Sequence, residues 1–327
     1  MRVVFMGTGT FAEPTLEALL TRPGLVVGVA TQPDREVGNR RGSTRQVGRG
    51  IKSIAQEAGL PVIQPASINA PEGVAALRDL RPDLLVVAAY GQILSPEVLS
   101  IPPLGGINVH ASLLPKYRGA APVAWAIWNG ETRTGVTIIR MSAGLDAGDL
   151  LAQEVLDILP DETAGELEAR LAPLGARLAL EVLDQLLTGP VTGKKQDPAQ
   201  VTKAPKLKKE MGLIDWTQPA DRVWNQIRAM QPWPTPYTFL HRGDDPPIRV
   251  IITDATPIMS AMAPGRPGEL REDRSDEGEP VLLVQTGEAT MLRVLAIQPA
   301  GKRAMTAAEF LRGHPVQDGH RFGPETP

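Results

Sequence analysis

Through its first 190 residues the chain alternates short, β-branched apolar runs with stretches whose apolar positions recur at helical spacing. Runs at 2–6, 25–31, 61–64, 84–89, 107–110 and 135–140 have the length of buried strands, and 149–158 alternates loosely enough for an edge strand. Residues 13–20, 51–59 and 71–80 read as helices, with Pro14 tolerable in a first turn. Residues 163–187 read as one long helix, in which Pro173 predicts a bend. Strand–helix repetition predicts an α/β fold with a doubly wound, mostly parallel sheet, and such sheets bind ligands beyond the carboxyl ends of their strands.

The pattern changes after residue 189. Residues 190–210 carry six lysines (194, 195, 203, 206, 208 and 209) among Pro190, Gly193, Pro198 and Pro205, a linker composition. Beyond them a helix is expected at 221–230, a stiff proline-rich turn at 231–237, and short strands at 248–252, 281–285 and 291–297. Short strands separated by polar loops predict a small β-barrel. The charged stretch 271–279 is expected to form a mobile loop. The expected organisation is therefore a domain over 1–189, a basic linker over 190–210 and a smaller β-barrel domain over 211–327.

Composition narrows the chemistry. The 327 residues include no cysteine, which excludes disulfides and thiolate catalysis and fits a reducing cytoplasmic setting. Four histidines, three of them after residue 240, disfavour a histidine-rich metal cage, and no metal is expected. No apolar run approaches a membrane span, and the N-terminus lacks a signal-peptide pattern. A net charge of −3 leaves room for a local basic patch but makes the whole chain no general polyanion binder.

Candidate chemistry is concentrated in two stretches. Asn108 and His110 are two apart, so a strand projects both from one face, and the loop Ser112-Leu113-Leu114-Pro115-Lys116-Tyr117-Arg118-Gly119 follows at once. Asp146 lies in a glycine-flanked loop after the 135–140 strand. An amide donor, an imidazole and a carboxylate suit acyl transfer to an amine; isolated, the same residues would be satisfied polar groups at a strand end. Gly7-Thr8-Gly9-Thr10-Phe11-Ala12 matches a dinucleotide fingerprint, with Asp34 near the position of a ribose-binding acid, and equally fits a simple turn after a first strand. The 34–52 stretch, with Arg35, Arg40, Arg41, Arg45, Arg49 and Lys52, is either a solvated loop or a polyanion contact; its arginines favour phosphate geometry. The five tryptophans are read as core or interface, and Trp125 and Trp128 share a helix face.

Several stretches together resemble the methionyl-tRNA formyltransferase family. They are TQPDR at 31–35, AAYGQIL at 88–94, INVHASLLPKYRGAAP at 107–122, TGVTIIRMSAGLDAGD at 134–149, IDW at 214–216, PWP at 232–234 and QPAGKRAM at 298–305. The resemblance runs nearly end to end. It implies a Rossmann-like formyltransferase domain followed by an OB-like barrel, 10-formyltetrahydrofolate as co-substrate and initiator Met-tRNA as acceptor. By position it implies a catalytic trio of Asn108, His110 and Asp146, with Asn108 and a protonated His110 donating to the oxyanion and Asp146 as the partner of the imidazole. It also implies a folate-contacting loop of Ser112, Leu113, Leu114 and Pro115, and a pterin pocket lined by Tyr90, Gly91, Ile93 and Leu94. For tRNA contact it implies Arg35, Arg40, Arg41, Arg45 and Arg49 with Lys206, Lys208 and Lys209. Gly9 stands where the family often has proline, which makes the dinucleotide match accidental. A cytoplasmic monomer, away from membranes, is expected. Three other readings stay open at this level: a formyltransferase acting on a nucleotide-linked amino sugar, a dehydrogenase using the glycine turn, and a non-enzymatic tRNA binder.

Overall fold

Continuous apolar runs end up as central strands, because a parallel strand covered on both faces has no solvent side to leave polar. The computed structural model describes residues 1–34, 48–258 and 265–326. The described chain divides into two compact units, Met1–Ala126 with Thr132–Leu159 and Gly165–Lys206, and Ile127–Glu131 with Pro160–Ala164 and the segment from Leu207 on.

In the first unit the strands are β1 (Val3–Gly7), β2 (Val26–Ala30), β3 (Val62–Ile63), β4 (Leu84–Ala88), β5 (Gly106–His110), β6 (Arg118–Gly119), β7 (Arg133–Arg140), β8 (Leu150–Asp157) and β9 (Lys203–Ala204). Helices α1 (Glu13–Leu20), α2 (Ile51–Glu57), α3 (Pro71–Asp79), α4 (Pro96–Leu99), α5 (Pro122–Trp128) and α6 (Ala164–Thr188) intervene. The main sheet runs β3-β2-β1-β4-β5-β7-β8. Its first four neighbour pairs are parallel, and β5–β7 and β7–β8 are antiparallel. Every residue of β1 and β4 is buried, whereas β8, at the edge, alternates half-buried and exposed positions. The order reverses between β1 and β4, and the carboxyl ends beside that reversal are where such sheets bind ligands. Pro173 lies inside the single long helix α6.

The glycine turn after β1 is explained by packing. A Cβ on Gly7 would lie 2.6 Å from the Phe5 ring and 2.8 Å from Ala12 Cβ. Asp34, the would-be ribose acid, pairs with Lys52 and accepts a hydrogen bond from Gln64 Nε2 at 3.1 Å. Thr10, in the same turn, donates to Glu168 Oε1 at 3.1 Å, and burial pushes that carboxyl above its ordinary value.

The lysine-rich segment does not hang between the units along its whole length. Lys194 exchanges both main-chain hydrogen bonds with Leu150 at 2.8 Å, and β9 pairs in parallel with β6.

The second unit holds α7 (Ala220–Ala229), β10 (Tyr237–His241), β11 (Ile248–Ile258), β12 (Leu270–Arg274), β13 (Pro280–Gln285), β14 (Met291–Pro299), β15 (Met305–Thr306), α8 (Ala307–Gly313) and β16 (Arg321–Gly323). These strands form one antiparallel sheet in the order β12-β13-β14-β11-β10-β16, with β15 against β14. The sheet curls until its ends meet. Glu269 bridges Arg321, Leu270 N–H donates to His320 O at 3.1 Å, and Phe322 N–H donates to Gly268 O at 2.7 Å. Trp216, Val223, Ile227, Leu240, Ile252, Leu282, Leu292, Phe310 and Phe322 fill the core, and Trp216 stacks on Phe322 with ring centroids 5.6 Å apart.

One expectation is overturned here. The charged stretch from 271 is not a loop throughout, because Leu270–Arg274 is a strand with only Leu270 buried. Main-chain pairing to β13 holds it, and hairpin pairing needs no apolar side chains on its open face. Helix α8, which the apolar periodicity does not predict, starts at a capping box of Thr306 and Glu309, a signal present in the sequence.

Glu168 generates a pH prediction. Its folded-state value is raised, so its contribution to stability is complete below the unfolded value of 4.5 and is lost as pH rises through the folded value. Glu168→Gln keeps the acceptor for Thr10 and removes this loss. Thermal unfolding of variant and wild type should therefore diverge in favour of the variant as pH rises from about 4 to 7, and parallel curves would exclude a buried ionisation cost.

Candidate active site

His110 is the last residue of β5, and Asn108 lies two positions earlier on the same face. Asn108 is in register with Val87 on β4 and Ile139 on β7, and His110 with Thr137 on β7. The site thus sits at the carboxyl end of the central strands. Asp146 reaches it from the turn between β7 and β8, with φ of 47°, a left-handed conformation uncommon for a residue with a side chain.

These three residues come together. Asn108 Nδ2 donates to Asp146 Oδ1 at 3.4 Å, and His110 Nδ1 lies 3.6 Å from Asp146 Oδ2. The Gly119 N–H donates to the same Oδ2 at 2.8 Å, the shortest of the three approaches. On its far side, His110 Nε2 is 3.0 Å from the carbonyl of Tyr117. A carbonyl only accepts, so Nε2 carries a hydrogen and Nδ1 is the nitrogen turned to the carboxylate. His110 is 5% exposed. The histidine therefore cannot offer Nε2–H to a reacting oxygen while Tyr117 holds it, and a donor role falls to the Nδ1 side.

The loop after β5 is fixed from β7 and β8. Thr137 Oγ1 donates to Ser112 O at 2.6 Å and accepts from Leu114 N–H at 3.2 Å, and Gln153 Nε2 donates to both Leu114 O and Thr137 Oγ1. Ser112 Oγ donates to Lys116 O at 2.7 Å. The Leu114–Pro115 bond is cis. Ser112 and Leu114 are buried, and Leu113 and Pro115 half-buried.

In the 90–94 stretch the side chains divide. Tyr90 and Leu94 join a core cluster with Val4, Met6 and Val87, while Gly91 is exposed and Ile93 is 70% exposed. The Tyr90 hydroxyl is buried with no hydrogen-bond partner among the described residues, and desolvation pushes it up to about 12. The Tyr90 carbonyl accepts from Gln32 Nε2 at 3.0 Å.

Of the expected tRNA contacts, Arg35, Arg40, Arg41 and Arg45 lie outside the described residues. Arg49 is engaged with carboxylates, 2.8 Å from Glu17 and paired with Glu57. Lys206, Lys208 and Lys209 are exposed. Trp125 packs beside Tyr117 and Ala204 and donates to Pro205 O at 2.8 Å, and Trp216 is core. Among the described residues no cluster of three histidines or acids is placed to hold a metal, and no helix is long and apolar enough to cross a membrane.

Sequence reasoning missed the residues that build the trio's surroundings: Gly119, Thr137, Gln153 and Gln196. Gln196 Nε2 donates to the carbonyls of Asp146 and Gly148 at 2.7 and 2.8 Å. No local pattern marks such a residue, since its partners are about 50 positions away.

The Asp146 turn closes against β7 so tightly that a Cβ on Gly148 would lie 1.6 Å from the Arg140 carbonyl oxygen. Gly148→Ala should cost about 1–3 kcal/mol, the range for forced overpacking, in urea unfolding. A variant as stable as wild type would mean the turn is free to open.

Comparison with known proteins adds the family. Residues 1–183 match the formyl transferase family and residues 206–315 match the formyl transferase C-terminal domain. A methionyl-tRNA formyltransferase from Geobacter sulfurreducens is 45% identical over 99% of this chain and 97% of its own length. One from Magnetococcus marinus is 45% identical over 98% of each. Among solved structures, the sugar 3N-formyl transferase WlaRD, crystallised in the presence of dTDP and 5-N-formyl-THF, aligns with a TM-score of 0.64 at 15% identity, over 93% of this chain and 99% of its own. HypX from Aquifex aeolicus, in complex with tetrahydrofolic acid, aligns with a TM-score of 0.57 at 18% identity over 95% of this chain and 47% of its own. Those two share the fold; the sequence relatives carry more, and by them the chain belongs to the methionyl-tRNA formyltransferase family.

Proposed function

We propose that the chain transfers the formyl group of 10-formyltetrahydrofolate to the α-amino group of methionine on initiator Met-tRNA. The observation that carries this is the meeting of Asn108, His110 and Asp146 at one strand end, in a chain 45% identical along its length to methionyl-tRNA formyltransferases.

The attacking amine must be neutral, and an α-amino group titrates near pH 8, so a useful fraction is neutral under ordinary conditions. Its nitrogen bonds to the formyl carbon and the carbonyl electrons move to oxygen. Asn108 has two amide hydrogens; Asp146 takes one, and the other suits the new oxyanion. His110, hydrogen-bonded at Nε2 to Tyr117, presents Nδ1 on the side of Asp146 and completes the polar wall. Asp146, held by Gly119, accepts the proton released from the amine. The carbonyl re-forms from the oxyanion, the bond from carbon to N10 breaks and N10 takes the proton that Asp146 accepted, leaving a formamide, tetrahydrofolate and the carboxylate restored. The formyl group is already activated on an aniline-like nitrogen, and holding the two substrates together supplies much of the remaining acceleration.

The loop Ser112, Leu113, Leu114 and Pro115, held by Thr137 and Gln153, supports a backbone-mediated contact to folate, because Ser112 and Leu114 turn their side chains inward. The exposed Ile93 and Gly91 are the apolar surface nearest in sequence for a pterin. Arg35, Arg40, Arg41, Arg45 and Arg49, with Lys206, Lys208 and Lys209, would meet tRNA phosphates. The proposed division of labour is catalysis in 1–189, a basic linker in 190–210 and tRNA binding in 211–327, in a cytoplasmic monomer that works away from membranes.

The direct test is formyl transfer from 10-formyltetrahydrofolate to Met-charged initiator and elongator tRNA. Formylmethionyl-tRNA should form with preference for the initiator, and its complete absence would end this reading. Asn108→Ala should lower kcat by about 10²–10³ with little change in tRNA affinity, as for removal of one oxyanion donor; turnover near wild type would remove Asn108 from the mechanism. Filter binding of tRNA across a salt series should show log K falling linearly with log salt, with a slope of roughly −0.7 to −0.9 per phosphate neutralised. Replacing Lys206, Lys208 and Lys209 together by alanine should flatten that slope. A slope already flat in wild type would reject the phosphate contacts.

A further inference from the structure

The lysine-rich segment places one uncharged polar side chain against the candidate active site, and its whole hydrogen-bonding capacity is used there. Gln196 Nε2 donates to the Asp146 carbonyl at 2.7 Å and to the Gly148 carbonyl at 2.8 Å. Its Oε1 accepts from Arg118 Nε at 3.1 Å and from Arg118 Nη2 at 2.7 Å. Two donors and two acceptor sites are all that a carboxamide has. The main chain on either side of Gln196 is pinned as well. Lys194 pairs with Leu150 just after the Asp146 turn, and Lys203–Ala204 pair with Arg118–Gly119.

Gln196 thereby ties together the two loops that present Asp146. One of its arms grips the peptide carbonyl of Asp146 itself. The other grips the side chain of Arg118, the residue before the Gly119 N–H that holds the Asp146 carboxylate at 2.8 Å. Asp146 has φ of 47°, a left-handed conformation that aspartate tolerates better than most residues with a side chain but that still costs energy, which contacts to its own carbonyl offset. The carboxylate is also only 3.4–3.6 Å from Asn108 and His110, distances that a small rotation of the turn would lengthen past contact.

We propose that Gln196, braced by Arg118, is a positioning residue for Asp146. It holds the Asp146 turn in its left-handed conformation and so keeps the carboxylate on His110 and Asn108. This rests on the formyl-transfer reading and deepens it: the segment that resembles a linker in composition supplies part of the active site.

The test uses the full-length chain with Gln196→Met, which keeps side-chain length and removes every hydrogen bond, Gln196→Glu, which keeps the acceptor for Arg118 and loses both donors, and Asp146→Asn alone and combined with Gln196→Met. Both Gln196 variants should lose about a hundredfold in kcat for formyl transfer, the scale of a misplaced reacting group, with KM for 10-formyltetrahydrofolate nearly unchanged. In the Asp146→Asn background Gln196→Met should cause almost no further loss, because its effect passes through that carboxylate. Wild-type kcat in either Gln196 variant overturns the proposal, and so does a full additional loss in the Asp146→Asn background, which reports general damage. If Gln196→Met does not fold, Arg118→Lys takes its place: it keeps the charge, loses the two-pronged contact, and should show the same dependence on Asp146. A crystal structure of Gln196→Glu reads position without activity. An Asp146 carboxylate drawn away from His110 supports the proposal and an unmoved one overturns it, even if the wild-type chain fails to transfer formyl groups and the activity reading falls.

Discussion

The carboxylate of Asp146 is the group on which the arrangement of the candidate site turns. A nearly buried anion is costly unless each oxygen has a donor. Here Oδ2 takes the Gly119 N–H and faces His110 Nδ1, and Oδ1 takes the Asn108 amide. The first of these donors is main chain and so cannot be lost by a change of rotamer. The Tyr117 carbonyl on the opposite side of the imidazole completes a chain of partners in which the histidine has one orientation. The trio is therefore less a set of three side chains than one anion held by partners from two other segments, β5 and the loop that ends at Gly119.

The sheet is what brings those segments within reach. Asn108 and His110 gain their common face from strand geometry alone. β7 runs antiparallel to β5, which puts Arg140 opposite Ile107 and starts the following turn at the amino end of β5; the turn folds back along the strand until Asp146 reaches Asn108 and His110. That turn closes only because Gly148 presents no Cβ to the Arg140 carbonyl. The 112–119 loop is then trapped between Thr137 on β7 and the β9 strand, which fixes the Gly119 N–H. Each contact restricts the next, and apart from the Gly148 turn they join residues more than twenty positions apart.

Electrostatic features outside the site have a different character. Arg49 is already balanced by Glu17 and Glu57, so its charge contributes less to an outward field than composition implies. Lys206, Lys208 and Lys209 are exposed cations whose reach into solvent suits them to a phosphate backbone. In the second unit, the bridge between Glu269 and Arg321 covers sheet edges that would otherwise be open to pairing with other chains.

Much was legible without coordinates wherever a physical signal is local. The bounds of α1, the buried runs of β1 and β4, the open alternation of β8 and the shared face of Asn108 and His110 follow from side-chain periodicity, which depends only on neighbours along the chain. The strand Leu270–Arg274 leaves no mark on composition because main-chain pairing holds it, and α8 is seven residues long, with its capping box as its local signal. What the fold alone decided is of another kind. The approach of Asp146 to His110, the Gly119 donor, the inward turn of Ser112 and Leu114, and the four hydrogen bonds of Gln196 join residues whose separation no short-range pattern encodes. The sequence alone determined which elements form and which residue types are available for chemistry, because those are properties of short stretches; the tertiary structure decided which groups meet and which nitrogen of His110 faces the acid, because directional hydrogen bonds exist only once the sheet has brought distant segments together.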